Sequence, residues 1–180
     1  YKEVGGLIGE SDGGLITDVS VTNVTVDANA TRAGGLIGRS DDTSIDNSTV
    51  TNAVVIAPEV RQRLGGLVGD FDDDESITNS SVTNVTIEAG DAGRIGGLAG
   101  EFSDGSIVHS SAEDITVLGG NRIGGLVGKL YSGGSITDSS VVDVSLNATE
   151  EGSQYYRPTG GFVGLVEDGS ITNASVTNVT

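Results

Sequence analysis

The chain contains no cysteine, methionine or tryptophan, and aromatic residues make up only 4% of its 180 positions. Without thiols it cannot form a disulfide framework, a zinc–thiolate site or a cysteine nucleophile. A conventional globular core of this size normally uses more aromatic and leucine side chains. The scarcity of large side chains therefore favours a thin, stacked core of small and β-branched residues.

Basic residues are also scarce. There are 9 lysine and arginine residues against 26 acidic ones, which gives a net charge of −17. Nucleic acid is a poor candidate partner because phosphate binding requires the opposite sign. Such a surface keeps a protein soluble, and molar salt screens its self-repulsion. The composition predicts a salt-loving (halophilic) source, with an ordinary acidic extracellular protein as the alternative.

Long apolar runs are missing as well, since none approaches the roughly 18 residues of a membrane span. No signal peptide opens the chain. The first residues lie just before a repeat, and the last residue falls within one. We therefore expect the chain to be a segment of a longer protein.

Glycine, by contrast, is abundant, at 29 residues. Much of it lies in a five-residue sequence, Gly-Gly-Leu-Val-Gly or a close variant, that occurs six times. The copies begin at Gly5, Gly34, Gly65, Gly96, Gly124 and Gly160. A repeat of 20–50 residues is typical of solenoids, propellers and arrays.

Each unit reads as the glycine sequence, a short acidic loop, a Ser-Ile-Thr-Asn-Ser-Ser-Val-Thr-Asn-Val-Thr-Val segment and a variable connector. Three short β-rich runs separated by turn residues predict three short strands per unit, and no segment has helical periodicity. Stacking such units makes an all-β, right-handed parallel β-helix. We predict one β-solenoid segment over residues 1–180, with about six coils of about 30 residues.

Apolar residues recur at equivalent positions and are predicted to stack as the core. One such column is Ile16, Ile45, Ile77, Ile107, Ile136 and Ile171. Two polar columns stand between the apolar ones, and Asn and Asp suit bends because they tolerate left-handed dihedrals. These columns are Asp18, Asn47, Asn79, His109, Asp138 and Asn173, and Asn23, Asn52, Asn84, Asp114, Asp143 and Asn178. We expect the bend columns to be structural, with amide groups pairing up the stack.

The adjacent Leu67 and Val68 leave two alternatives, because neighbouring residues of a regular strand point to opposite faces. Either the glycines bend the backbone so that both side chains point inward, or one column forms an exposed apolar stripe. A stripe of that length would mark an interface.

The glycine sequence, followed by a polar loop and Gly-Ser-Ile-Thr-Asn-Ser, resembles the GLUG-motif repeat family over the whole chain. The resemblance implies secreted or cell-surface proteins, often adhesin-like or filamentous, in which the repeats form a stalk. Some relatives attach such repeats to a protease, but no peptidase motif occurs in this sequence. The resemblance transfers no catalytic residue.

Acidic residues cluster after the glycine sequences, and hard cations such as Ca²⁺ take six to eight oxygen ligands. The candidate metal ligands are Asp41, Asp42, Asp72, Asp73 and Asp74. The alternative is a solvated acidic face, and the calcium-binding nonapeptide of other β-helices is absent. No other cofactor is predicted.

Arginines recur just before the glycine pairs, where stacked guanidinium groups could bind carboxylates of a neighbouring chain or an acidic glycan. The interface candidates are Arg32, Arg63, Arg94, Arg122 and Arg157, together with Tyr155 and Tyr156 of the longest connector. The alternative for the arginines is pairing with Glu59, Glu88 or Asp91 within the chain.

Most of the eight Asn-x-Ser/Thr sequons belong to the structural consensus. Asn29 and Asn147 lie in variable connectors, where a sugar has room, and are the glycosylation candidates. His109, the sole histidine, replaces an Asn in a bend column and is predicted to be a tolerated substitution.

Together these patterns predict a non-enzymatic, extracellular or cell-surface structural and adhesive module, a stalk or filament subunit. Two alternatives stay open: a surface-binding module for polysaccharide or ice, and a β-helix carbohydrate-active enzyme. The expected partners are further copies of the chain, neighbouring solenoid or surface proteins, and glycans.

Overall fold

The computed structural model describes residues 2–27, 29–58, 62–90, 93–148 and 157–180, with the backbone alone at Asp73. Within these ranges the regular structure is entirely β, with no helix. The described ranges contain nineteen strands, numbered in chain order, which form three sheets in which every pairing is parallel.

The first sheet contains the short strands that precede the glycine pairs. They are β1 (Glu3–Gly5), β5 (Arg32–Gly34), β8 (Gln62–Gly65), β11 (Gly93–Gly96), β14 (Arg122–Gly124) and β17 (Thr159–Gly160).

The second sheet contains long strands that begin inside the glycine sequence. They are β2 (Ile8–Thr17), β6 (Ile37–Asp46), β9 (Val68–Thr78), β12 (Ala99–Val108), β15 (Val127–Thr137) and β18 (Val163–Thr172).

The third sheet contains the strands of the Ser-Val-Thr-Asn-Val-Thr segment. They are β3 (Ser20–Thr22), β4 (Thr25–Asp27), β7 (Thr49–Ala57), β10 (Ser81–Ala89), β13 (Ser111–Leu118), β16 (Ser140–Asn147) and β19 (Ser175–Val179).

The chain visits the three sheets in turn and returns to the first about every 30 residues, which makes a parallel β-solenoid and confirms the predicted fold class. It has about five turns, whereas about six coils were predicted. The difference arises because the six glycine sequences are separated by only five intervals, each of which closes one turn. Three strands per coil are confirmed, although the third-sheet strand of the first coil is divided into the short β3 and β4, and the strands of the second sheet are longer than predicted.

The predicted core columns are confirmed by the strand register. Ile45 pairs with Ile16 on one side and Ile77 on the other, and the column continues through Ile107 to Ile136 and Ile171. The isoleucines from 45 to 136 are fully buried. Like side chains stacked at strand spacing fill the interior without a large aromatic core.

Both polar columns adopt left-handed dihedrals, with φ between 47° and 58° at every member. The amide pairing is also present in part: Asn84 Nδ2 donates to Asn52 Oδ1 (2.7 Å), and Asn52 Nδ2 donates to Asn23 Oδ1 (3.1 Å). The first column turns the chain between the second and third sheets. The second lies inside β7 and β10, where it distorts a strand without ending it.

The acidic segment was predicted to be a loop, and that prediction is wrong. In the third repeat β9 runs through it from Val68 to Thr78, with a shift in register that marks a β-bulge. The strand forms because the segment contains an inward apolar position: Phe71 is buried and stacks on Phe102 of the next coil, with ring centroids 4.8 Å apart. Burial of the aromatic area stabilises the strand, although the segment carries several carboxylates.

The question of the adjacent apolar residues is resolved in favour of the inward bend. Leu67 and Val68 are both fully buried, as are their counterparts Leu36 and Ile37. In the central coils no exposed stripe exists at these positions, so the apolar interface expected from a stripe is not present there.

The glycine pair makes this bend for a steric reason. A Cβ on Gly66 would lie 2.2 Å from the carbonyl oxygen of Gly97 in the next coil, and one on Gly65 would lie 2.0 Å from the carbonyl oxygen of Val68. Neither glycine has a positive φ. The corner is therefore closed by backbone approaching backbone, which leaves no room for a side chain.

A buried serine completes the corner between the second and third sheets. Ser80 Oγ donates to the Thr78 carbonyl oxygen (2.8 Å) and accepts from the backbone N–H of Ser48 in the preceding coil (3.1 Å). Ser48, Ser110 and Ser139 occupy the same position. The column of serines provides acceptors for backbone N–H groups that the turn leaves without a sheet partner.

Candidate functional site: a charge ladder between two sheets

Two columns of charged side chains lie side by side where the first sheet meets the second. We call them together the charge ladder. On the first sheet its members are Glu3, Arg32, Arg63, Arg94 and Arg122, in register on successive coils. On the second sheet they are Glu10, Arg39, Asp70, Glu101 and Lys129, and Leu165 occupies the sixth position.

The centre of the ladder is a network of ion pairs. Arg32 bonds to Asp70 of the next coil through Nε (2.5 Å) and to Glu3 of the preceding coil through Nη1 (2.7 Å). Arg63 contacts Asp70 at 3.4 Å and bonds closely to Glu101. Each of these arginines therefore meets a carboxylate on the next coil, and Asp70 and Glu101 are each shared by two arginines.

Asp70 and Glu101 are only 3% and 2% exposed. Burial raises the pKa of Asp70, and it outweighs the arginines Arg63 and Arg32, which lower that pKa. Buried carboxylates need such partners, because an uncompensated charge in a dry environment is costly.

The balance of charge changes along the ladder. Burial lowers the pKa of Arg63, but the carboxylates of Asp70 and Glu101 more than offset this and raise it overall. One coil further, burial and repulsion by Arg63 and Arg122 lower the pKa of Arg94, although Glu101 opposes them. Between these two coils the charge ladder thus changes from cations and anions that compensate each other to an excess of cations.

The cation-rich end contains Arg94, Arg122 and Lys129. Arg94 Nη1 lies 3.1 Å from Glu101. Lys129 Nζ lies 3.9 Å from Glu101 and 2.8 Å from the exposed Glu167, and it also sits 4.4 Å from the ring centroid of Tyr131.

At the other end, Arg39 is held by carboxylates on both sides. Its Nη1 bonds to Glu10 (2.9 Å) and its Nη2 to Asp41 (2.5 Å). Burial lowers the pKa of Arg39, but these partners raise it overall.

The sequence-predicted arginines thus lie together on one column, and within the described chain they pair with Asp70 and Glu101 on the adjacent strand. In the sequence Asp70 and Glu101 belong to the acidic residues that follow the glycine sequences. A signal was available: the residue after each glycine sequence is charged in five of the six repeats, with both signs represented. Arg157 is partly buried beside β17, and Tyr155 and Tyr156 lie outside the described residues. A role for any of these residues at an interface stays a prediction.

Part of the predicted metal cluster is brought together. Asp41 and Asp72 are register neighbours. However, Asp41 is paired with Arg39, and Asp72 accepts a hydrogen bond from Ser103 Oγ (2.6 Å). Asp74 is exposed on the same strand. Among the side chains that the structure describes, no three acidic or histidine residues come close enough to hold a metal ion.

Two members of the predicted cluster remain. Asp42 has a left-handed φ of 49° at the bulge of β6, and the side chain of Asp73 is outside the described part. Calcium binding stays a prediction.

The glycosylation candidates are both exposed. Asn29 follows β4. Asn147 was predicted to lie in a connector, but it is the last residue of β16. His109 has a left-handed φ of 51° in its bend column, with Nε2 3.4 Å from Asp138. Its position agrees with a substituted bend residue.

Comparison with known families bears on the repeat itself. The GLUG motif matches residues 1–27, 29–55, 119–147 and 159–180, which together are more than half of the chain. The chain belongs to the GLUG-motif family. The two GLUG repeats that begin at Gly65 and Gly96 fall outside the matched segments, yet β9 and β12 pair in register with β6 and β15 from matched segments. No curated protein matches the chain. Across its described ranges the chain has no helix that could span a bilayer.

Proposed function

We propose that this GLUG solenoid is a non-enzymatic structural and adhesive module of an extracellular or cell-surface protein, acting as a stalk or filament subunit. The observation that carries the proposal is the register of the stack, in which like side chains pair on successive coils, so that one more coil adds the same contacts again. In the central coils the core isoleucines and valines are fully buried, whereas Ile171 and Val176 of the last coil are 40% and 46% exposed. Leu7 of the first coil is 56% exposed.

A coil with a neighbour on one side only therefore exposes apolar columns and a strand edge that match a further coil of the same repeat. Exposed apolar strand edges are templates for further pairing. The occupant we propose is another coil of the same repeat, because its side chains and backbone groups repeat the register found inside the stack.

The lateral surface supports the same role. Six of the nine basic residues lie on the charge ladder, so the remaining surface carries a large excess of carboxylates. Such sides repel one another at low salt and favour growth along the stack over lateral clumping. The carboxylates of the ladder are engaged by arginines, which suits a structural role more than proton transfer.

Sedimentation velocity and negative-stain microscopy of the chain between 0.1 and 2 M KCl test this function. We expect elongated end-to-end assemblies to grow as salt screens the carboxylates. The double variant Ile171→Lys, Val176→Lys places charges on the open end and should stay monomeric. The matched control Thr172→Lys, Thr177→Lys changes the outward-facing neighbours on the same two strands and should assemble as the parent does.

Compact, monomeric particles at every salt concentration would contradict a stalk or filament. So would equal loss of assembly in the end variant and its control, because the open apolar end would then have no special role.

A further inference from the structure

The charge ladder follows a rule that fails at its last two arginines. Arg32 and Arg63 each bond to a carboxylate at the start of the second-sheet strand on the next coil, Asp70 and Glu101 respectively. For Arg94 the equivalent position is Lys129, and for Arg122 it is Leu165. Both positions are occupied by residues that cannot accept a hydrogen bond from a guanidinium group.

Arg122 consequently makes few polar contacts. Within the described chain its one polar contact is a marginal hydrogen bond from Nη1 to Asn121 Oδ1 (3.5 Å). Its Nε is buried and has no hydrogen-bond partner there, as is also true of Nε of Arg94 and of Arg39. Arg39 binds two carboxylates through its terminal nitrogens, whereas Arg122 forms no ion pair within the described chain. Buried donors of a charged group are normally satisfied, so Arg122 indicates an unfilled acceptor position.

The local charge points to the same deficit. Arg94, Arg122 and Lys129 face Glu101, which is already bonded to Arg63, and Glu167, whose side chain is 56% exposed. The side chains of Arg94 and Lys129 are themselves 26% and 13% exposed, so solvent reaches the cluster. Burial and repulsion by Arg63 and Arg122 lower the pKa of Arg94 and together outweigh the attraction of Glu101.

We propose that Arg94, Arg122 and Lys129 form a binding site for the carboxylate of an acidic sugar, such as a uronate. Two arginines one strand spacing apart offer planar forks that match a carboxylate in a bidentate way. Tyr131, beside Lys129 on the same strand, is partly exposed and gives an amphipathic ring against which a sugar can lie.

The net charge of −17 does not exclude such a ligand. At 0.15 M salt the Debye length is about 8 Å, so the remote carboxylates are largely screened while the adjacent cations are not. The site specifies a ligand for the proposed adhesive module. Only the biological use of this ligand rests on the proposed function; the binding itself does not.

Isothermal titration calorimetry with D-galacturonate and with inorganic sulfate tests the site. We expect saturable binding by the parent chain that is at least about tenfold weaker in Arg122→Gln, since a charge-assisted bond contributes about 1.5–3 kcal/mol. Tighter binding of galacturonate than of sulfate would support the sugar as the source of the anion.

A second variant, Leu165→Glu, tests the same idea by supplying the missing carboxylate from within the chain. It should abolish binding while raising the unfolding temperature, an outcome that misfolding cannot mimic. Arg39→Gln is the matched control, because Glu10 and Asp41 already bind both terminal nitrogens of that arginine. It should bind galacturonate as the parent does.

Unchanged binding in both Arg122→Gln and Leu165→Glu would overturn the proposal, as would an equal loss in Arg39→Gln. It would also be overturned if neither anion binds but Arg122→Gln abolishes self-association, because the occupant would then be a carboxylate of a second copy. End-to-end assembly depends on Ile171 and Val176, so failure of the anion site is distinguishable from failure of the proposed function.

Discussion

At the scale of single residues, the glycine pair and the buried serine are positions where the solenoid should tolerate substitution poorly. Gly66 sits where the backbones of two coils approach each other, and Ser80 supplies hydrogen bonds inside a corner. Both sites repeat on every turn. A change at either therefore disturbs contacts with the coils on both sides as well as its own.

The substitution Gly66→Ala should destabilise the chain by about 1–3 kcal/mol or more, because the new Cβ would overlap the Gly97 carbonyl oxygen and force the backbone to move. Urea unfolding followed by circular dichroism measures the effect. Thr86→Ala, on the outward face of β10, is the control and should change stability by much less. Equal losses in the two variants would contradict the steric account.

Ser80→Ala should cost about 1–3 kcal/mol, since it leaves the buried N–H of Ser48 without an acceptor. The adjacent Ser81 offers a matched control of the same residue type, because its side chain faces outward. Ser81→Ala should lie within about 0.5 kcal/mol of the parent in the same unfolding experiment. A comparable loss at Ser81 would mean that the buried column of serines is not the cause.

At the scale of elements, the strand β9 explains why an acid-rich segment can pair in a sheet. Its residues alternate between different surroundings: Asp70 lies in the charge ladder, Phe71 lies in the core, and Asp72 lies outside against Ser103. The charges on such a strand are not equivalent. The buried one should respond to pH in its own way.

Burial raises the pKa of Asp70 above its ordinary value of 3.8. Between the ordinary and the raised value the folded chain binds a proton that the unfolded chain has released. The stability contributed by the protonated group is therefore lost as the pH rises through this window. Relative to Asp70→Asn, the parent should lose stability as the pH rises from about 3.8 toward neutrality.

Urea unfolding of both proteins between pH 3.5 and 7 checks this sign, because titrations shared by the two chains cancel. Asp74→Asn, which removes an exposed carboxylate from the same strand, is the control for the loss of one charge. A difference between the parent and Asp70→Asn that stays constant, or grows in favour of the parent with rising pH, would contradict burial as the dominant cause.

At the scale of the whole molecule, charge is separated by location. Basic residues are concentrated on the charge ladder, and the outer face of the third sheet is left with carboxylates such as Asp27, Glu88 and Glu113. Repulsion among these exposed groups opposes the compact state. It weakens as the Debye length falls from about 10 Å at 0.1 M to about 3 Å at 1 M salt.

The unfolding temperature should therefore rise between 0.1 and 1 M KCl. The triple variant Asp27→Asn, Glu88→Gln, Glu113→Gln should unfold at a higher temperature than the parent in low salt and should gain less from added salt. Differential scanning calorimetry measures both quantities. A parent whose unfolding temperature is flat or falls with salt would show that exposed repulsion does not limit its stability.

Much of the fold could be predicted because the sequence consists of repeats. The register of Ile45 with Ile77, and the left-handed dihedrals at Asn52 and Asn84, follow from equivalent residues occupying equivalent places on successive coils. One core column was missed. Leu64 and its counterparts precede the glycine pair and are buried, but they lie in a connector that varies from one repeat to the next.

The candidate site was predicted only in part. The arginine column could be found from its spacing, but its partners Asp70 and Glu101 are separated from it in each unit by the glycine corner. Their proximity depends on how sharply that corner folds the first sheet against the second. The same corner decided that Leu67 and Val68 both point inward.

The sequence by itself determined the stacking of the coils. Its period, the side chains that stack and the bends between sheets each depend on like residues one turn apart. Only the tertiary structure decided which unlike residues meet across a corner, and hence where the cations and anions of the charge ladder compensate each other and where cations are in excess. The physical reason is that stacking is fixed by the repeat length, whereas contacts across a corner are fixed by backbone packing that no spacing in the chain expresses.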